Sequence, residues 1–75
     1  MSVQYRIAFG KNDEVVEGPD DADVVVTMAA VDAGVDPTVA FMQGKLKSTG
    51  STAALFEVLR SGDATAAIKR LASRP

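Results

Sequence analysis

The chain changes its hydrophobic period once, and that change limits what it can fold into. Near the start, Val3, Tyr5, Ile7 and Phe9 alternate with Gln4, Arg6 and Ala8. A period of two predicts a strand over residues 2–9 with one apolar face. Near the end the rhythm is helical. Ala64, Ala67, Ile68, Leu71 and Ala72 fall at i, i+3, i+4, i+7 and i+8 without a miss.

The segments between fill in the layout. Gly10-Lys11-Asn12-Asp13 is turn chemistry and Glu14–Glu17 a short second strand, so a hairpin is expected. Asp23 to Ala29 is β-branched and apolar and predicts a third strand. Val24, Val26 and Met28 share one face of it, and three consecutive valines suggest cover on both faces or nearly so. Residues 30–36 are expected to be a loop or a frayed turn. Asp36-Pro37 reads as an N-cap followed by Pro at the first helical position, opening a short helix to about Gln43 that Gly44 stops. Lys45 to Thr49 is a fourth strand with charges on one side, as suits an edge. Ser51 or Thr52 caps a helix over about 52–60, with a stripe of Leu55, Val58 and Leu59 that Ala54 and Phe56 widen. Ser61-Gly62 breaks it, and Asp63 is placed to cap the last helix, where Arg70 and Arg74 suit the dipole. The expected architecture is a two-layer α+β fold. A mostly antiparallel sheet of about four strands carries helices on one face.

Composition narrows the function. At 75 residues the chain is one domain, 1–75, with a thin core. Eight basic against ten acidic residues leave a formal charge of −2, with no general pull toward nucleic acid. There is no Cys and no His. That removes thiolate chemistry, the commonest metal ligand and the commonest general base. No apolar run approaches the roughly 20 residues of a membrane span, and the start lacks a signal-peptide core, so a cytoplasmic location is expected.

Other candidate chemistry is thin. Asp20-Asp21-Ala22-Asp23 lacks the spacing, central Gly and terminal Glu of a calcium loop, so it is taken as a solvated acidic turn. Gly44-Lys45 lacks the upstream Gly of a phosphate loop, since Val39 stands there, and Leu46 replaces the following Ser or Thr. A Ser or Lys nucleophile needs an activating base, and no spacing singles one out. No catalytic residue, metal site or cofactor is assigned, and an enzyme is not expected.

One stretch is more specific. Pro37, Ala40, Phe41, Gly44, Lys45, Leu46, Lys47 and Gly50 fill a pattern "P-x-x-A-F-x-x-G-K-L-K-x-x-G". This segment resembles the sterol carrier protein-2, or nonspecific lipid-transfer, domain family. Ala22 to Met28 looks like that family's "A-D-x-T-I-T-M" strand, and the likeness is strong over residues 22–60. The resemblance implies a twisted sheet with helices on one face and an apolar cavity between them. It implies non-catalytic binding, and carriage, of a fatty acid, acyl-CoA or sterol. Carried over by residue, it puts Phe41, Met42 and Leu46 at the cavity wall. Val26 and Met28 become the floor and Leu55 and Leu59 the lid, with Gln43 placed to meet a polar end of the ligand. Transient membrane contact goes with such carriage.

Against the family pattern this chain is short. It lacks the usual leading helix and first strand, and the stretch between Met28 and Pro37 is reduced. Tyr5, Ile7 and Phe9 are therefore expected to be bare in a monomer, and a homodimer through that sheet face is expected to cover them. The alternative is an interaction module that keeps the fold with a filled core and no ligand.

Overall fold

A computed structural model describes residues 2–73. Within them the chain runs β1 (Val3–Gly10), β2 (Asp13–Glu17), β3 (Val24–Ala29), a 3-10 turn (Ala30–Asp32), α1 (Pro37–Met42), β4 (Leu46–Gly50), α2 (Thr52–Ser61) and α3 (Asp63–Ala72). The four strands form one mixed sheet in the order β2-β1-β3-β4. The β1–β2 and β3–β4 pairs are antiparallel, while β1 and β3 at the centre run parallel. This is the expected α+β fold, and each expected element is present within one or two residues of its anticipated bounds.

The parallel centre follows from the connection after β2. Two neighbouring parallel strands cannot be joined by a tight turn. The chain leaves β2 and crosses the start of β1 through residues 18–23 to begin β3. Several side chains hold that crossing. Gln4 is buried, and its Nε2 donates to the Pro19 carbonyl at 3.2 Å and to Asp20 Oδ1 at 3.3 Å. The Asp23 carboxylate accepts from the Ser2 N–H at 3.1 Å, and Ser2 Oγ accepts from the Asp23 N–H at 3.0 Å. The acidic turn thus closes the crossing, with Asp20 and Asp23 as its side-chain acceptors.

Register sets the core. Tyr5 stands opposite Val26 and Ile7 opposite Met28 across the parallel pair, and Met28 stands opposite Leu46. All of these face the helices and are buried. The other side of β3, with Val25, Thr27 and Ala29, is half-buried. The triple valine therefore reflects a central strand with neighbours on both sides rather than two helical layers. From the helices come Ala54, Leu55 and Val58 on α2 and Ala64, Ala67, Ile68 and Leu71 on α3. Full burial of each large aliphatic side chain contributes about 1.5–3 kcal/mol.

Two expectations are corrected here. The face bearing Tyr5, Ile7 and Phe9 is not bare. Tyr5 is 7% exposed and Ile7 1%, and Phe9 is partly buried against the same core. The helical layer lies on that face, with α3 against β1, so it offers no homodimer surface. Asp63 does not cap α3. Gly62, in the left-handed conformation, ends α2 and begins α3, and Asp63 is the first helical residue. Arg70 donates to Glu17 through Nε at 3.1 Å and through Nη2, tying α3 to β2, so its charge serves this pair as well as the helix dipole. Arg74 lies outside the described residues.

Two outcomes test this arrangement. Gly50 has φ +99°, and a Cβ there would overlap the Asp23 carbonyl oxygen. Gly50→Ala is expected to destabilise by about 2–4 kcal/mol in urea unfolding, whereas Gly10→Ala, with open space around its Cβ position, changes stability by less than about 1 kcal/mol. Separately, burial pushes the Tyr5 phenol pKa up, with the Asp63 and Glu17 charges adding and Arg70 opposing. A raised folded pKa means this contribution is full below the ordinary tyrosine pKa of about 10 and is lost as pH rises through the folded value. Tyr5 is the only tyrosine, so tyrosinate absorbance follows it directly. Tyr5→Phe is expected to lose less stability than the parent chain between neutral and strongly alkaline pH.

Candidate functional site

The motif segment builds one end of the helical layer. Asp36 caps α1 as its sequence predicts, its Oδ1 accepting from the Thr38 N–H at 2.9 Å and the Val39 N–H at 3.4 Å. Pro37 follows at the first helical position and is buried. Seven residues later Gly44, at φ +77°, turns the chain into β4. Leu46 then points inward at 2% exposure, while Lys45 and Lys47 point out. Ser51 caps α2, its Oγ accepting from the Ala54 N–H at 3.2 Å.

The eight residues expected to bind ligand separate into two groups. Val26, Met28, Leu46 and Leu55 lie deep in the continuous core, each at most 2% exposed. Phe41 and Leu59 are half-buried at its margin. Met42 is 77% exposed, and Gln43 is exposed at the C-cap of α1. Of the outer four, Leu59 lines an opening and Phe41 packs against Phe56 on its wall. A cleft of about 310 Å³ lies between α1 and α2, lined by Thr38, Phe56, Glu57, Leu59 and Arg60. That volume sits at the low end of small-molecule sites, roughly 300–1,000 Å³.

The cleft and its surroundings are largely apolar. Phe56 is 50% exposed, and on α1 Val39 and Met42, three residues apart, are both exposed. Phe41 and Phe56 meet edge to face across the two helices, with ring centroids 5.9 Å apart and planes at 90°. The polar lining is nearly self-contained, since Arg60 Nη2 donates to Glu57 Oε2 at 2.6 Å. A second, smaller cleft of about 230 Å³ lies between residues 33–37 and α3, where Thr65 and Lys69 meet Val35 and Pro37. Among the described residues no three acidic or other metal-binding side chains come together, and no helix is long and apolar enough to cross a membrane.

Thr38 and Phe56 line the cleft and stand outside the eight residues expected to bind ligand. The stripe of α2 was expected to include Phe56, but Ala54, Leu55 and Val58 fill the buried sector without it. The available signal was a large aromatic side chain placed off the i, i+3, i+4 series.

No protein-family model matches the chain, and no curated protein matches it. Among solved structures it is similar to the apo form of Sterol Carrier Protein 2 from Yarrowia lipolytica. That match has a TM-score of 0.49 and 19% identity, and covers 97% of this chain and 70% of the other. At that level of likeness, function rests on the side chains themselves.

The aromatic contact is testable apart from any ligand. A double-mutant cycle on Phe41→Leu and Phe56→Leu is expected to return a coupling of about 0.5–1.5 kcal/mol in urea unfolding. A coupling near zero means the two rings pack independently.

Proposed function

We propose that this chain binds an apolar, chain-like or sterol-like small molecule, without catalysis, at the cleft between α1 and α2. The observation that carries this is the apolar wall of the cleft, Phe56 and Leu59. These are large apolar side chains, each partly in solvent, that line a cleft of ligand size. A small chain with a thin core gains more by burying such residues, so an apolar wall left open to solvent calls for a partner. The resemblance of residues 22–60 to the sterol carrier protein-2 family supports the same class of ligand: a fatty acid, acyl-CoA or sterol.

Binding of this kind needs little polar recognition. Each methylene removed from water contributes about 0.8 kcal/mol, so a long acyl chain binds through burial alone and with weak selectivity. Phe56 and Leu59 supply the wall, and Phe41 backs Phe56. Gln43 is the uncharged polar side chain at the end of α1 and is assigned to the ligand's polar end. The Glu57–Arg60 pair is internally compensated and holds no free base for chemistry.

A second function is favoured by one specific feature. Val26, Met28, Leu46 and Leu55 are packed into a continuous core, as an interaction module with a filled interior would have them. On that view the Phe56 and Leu59 wall of the cleft meets a protein surface instead of a lipid.

Met42→Trp separates the two. The chain has no tryptophan, and position 42 is exposed, so the substitution adds a single reporter at a stability change within about 0.5 kcal/mol. On titration with a long-chain fatty acid its emission is expected to shift to the blue and saturate. Emission that stays unchanged with fatty acid, acyl-CoA and sterol alike removes the ligand function and favours the interaction module.

A further inference from the structure

The three helices are attached to the sheet in different ways. α3 is tied by the Arg70–Glu17 ion pair to β2. α2 is tied at its cap, where the Ser51 N–H donates to the Asp23 carbonyl at 3.1 Å. α1 has no such tie. Among the described residues its hydrogen bonds all run between residues 36 and 45: the Asp36 cap, Ala40 N–H to the Asp36 carbonyl, Gln43 N–H to Val39, Gly44 N–H to Phe41 and Lys45 N–H to Ala40. These bonds are internal to the segment and do not fasten it to its neighbours.

Packing holds α1 no more firmly. Its buried side chains are Pro37 and Ala40, both small, while Thr38, Val39 and Met42 are exposed. Its one large side chain turned inward is Phe41, half-buried at the margin of the core and edge to face with Phe56, itself half in solvent. A six-residue helix has little stability of its own. Gly34 and Gly44 flank it, and the space around both Cβ positions is open. Beneath α1 lies β4, whose Leu46 pairs with Met28 and belongs to the same buried cluster as Leu55.

We propose that α1 is a lid. It swings on Gly34 and Gly44, breaks the Phe41–Phe56 contact, and widens the cleft into the part of the core formed by Leu46, Met28 and Leu55. This deepens the ligand-binding function proposed above and rests on it. It also joins the two groups of expected binding residues. The outer residues Phe41, Met42, Gln43 and Leu59 meet the ligand first, and the inner residues Val26, Met28, Leu46 and Leu55 receive its chain once α1 has moved. Local opening of a weakly tied element is a common route for such motion.

The chain has no cysteine, so a lock can be introduced without interference. Thr38 on α1 and Glu57 on α2 line opposite sides of the cleft. In the double variant Thr38→Cys/Glu57→Cys the two helices are joined by oxidation, or by a short bis-maleimide if the disulfide does not close. Uptake of a fluorescent fatty acid, cis-parinaric acid, is then followed with the helices linked and unlinked. The linked form is expected to take up the probe at least about tenfold more slowly than the same variant unlinked. Equal rate and extent in the two forms overturns the lid while leaving ligand binding intact. A parent chain that takes up no probe overturns the binding function, and the lid with it.

Hydrogen exchange gives a readout that needs no ligand. The amides of Ala40, Gln43 and Lys45 are expected to exchange at least about tenfold faster than that of Val26, by an opening that does not unfold the sheet. Exchange of these amides only together with Val26 overturns the lid.

Discussion

Ile7 on β1 and Met28 on β3 stand side by side on one face of the sheet, each 1% exposed. They are neighbours because β1 and β3 run parallel, and that pairing makes a four-wide apolar floor from so short a chain. Its maintenance depends on the crossing at residues 18–23. Polar groups near the start of β1 are committed to it: Gln4, Ser2, Asp20 and Asp23. Gly18 lets the backbone pass against Val3 at φ +113°, where a Cβ would collide with the Val3 carbonyl. The acidic turn that superficially resembles a cation loop is the clasp of this crossing.

With the floor in place the helices divide the work. α3 places Ala64 and Ala67 on its buried face, beside Ile68 and Leu71, and adds an ion pair to the sheet edge. α2 carries Leu55 and Val58 into the same core. α1 contributes least burial and no polar tie, and it is also the helix beside the apolar cleft. The proposed site thus lies at the margin of the core, between α2, which supplies four of its five lining residues, and the weakly tied α1. Ligand binding and folding draw on the same hydrophobic term, so a mobile margin on a rigid floor lets the chain do both.

Much of this was legible in the order of residues. The alternation at Val3–Phe9, the Asp36-Pro37 helix start, the Gly44 stop and the i, i+3, i+4 series of α3 are local signals, and each element stands where its signal placed it. The inward Leu46 between outward Lys45 and Lys47 followed from strand period alone. The bare sheet face was not borne out. Tyr5 and Ile7 looked exposed because the chain is short against the family pattern, yet the helical layer that α3 completes covers them. Coverage depends on where a helix lands after two turns of the chain, and period does not encode that. Phe56 stands outside for a related reason: Ala54, Leu55 and Val58 fill the buried sector of α2, leaving the ring at the cleft.

Periodicity, capping residues and turn glycines therefore determined the elements, their approximate bounds and the α+β class, because each depends on neighbours a few positions away. The tertiary structure alone decided that β1 lies beside β3, that the acidic turn is a clasp, and that the cleft opens between α1 and α2. Those depend on contacts between residues far apart in the chain. Such contacts are chosen by the packing of whole faces against one another, which no short window of sequence contains.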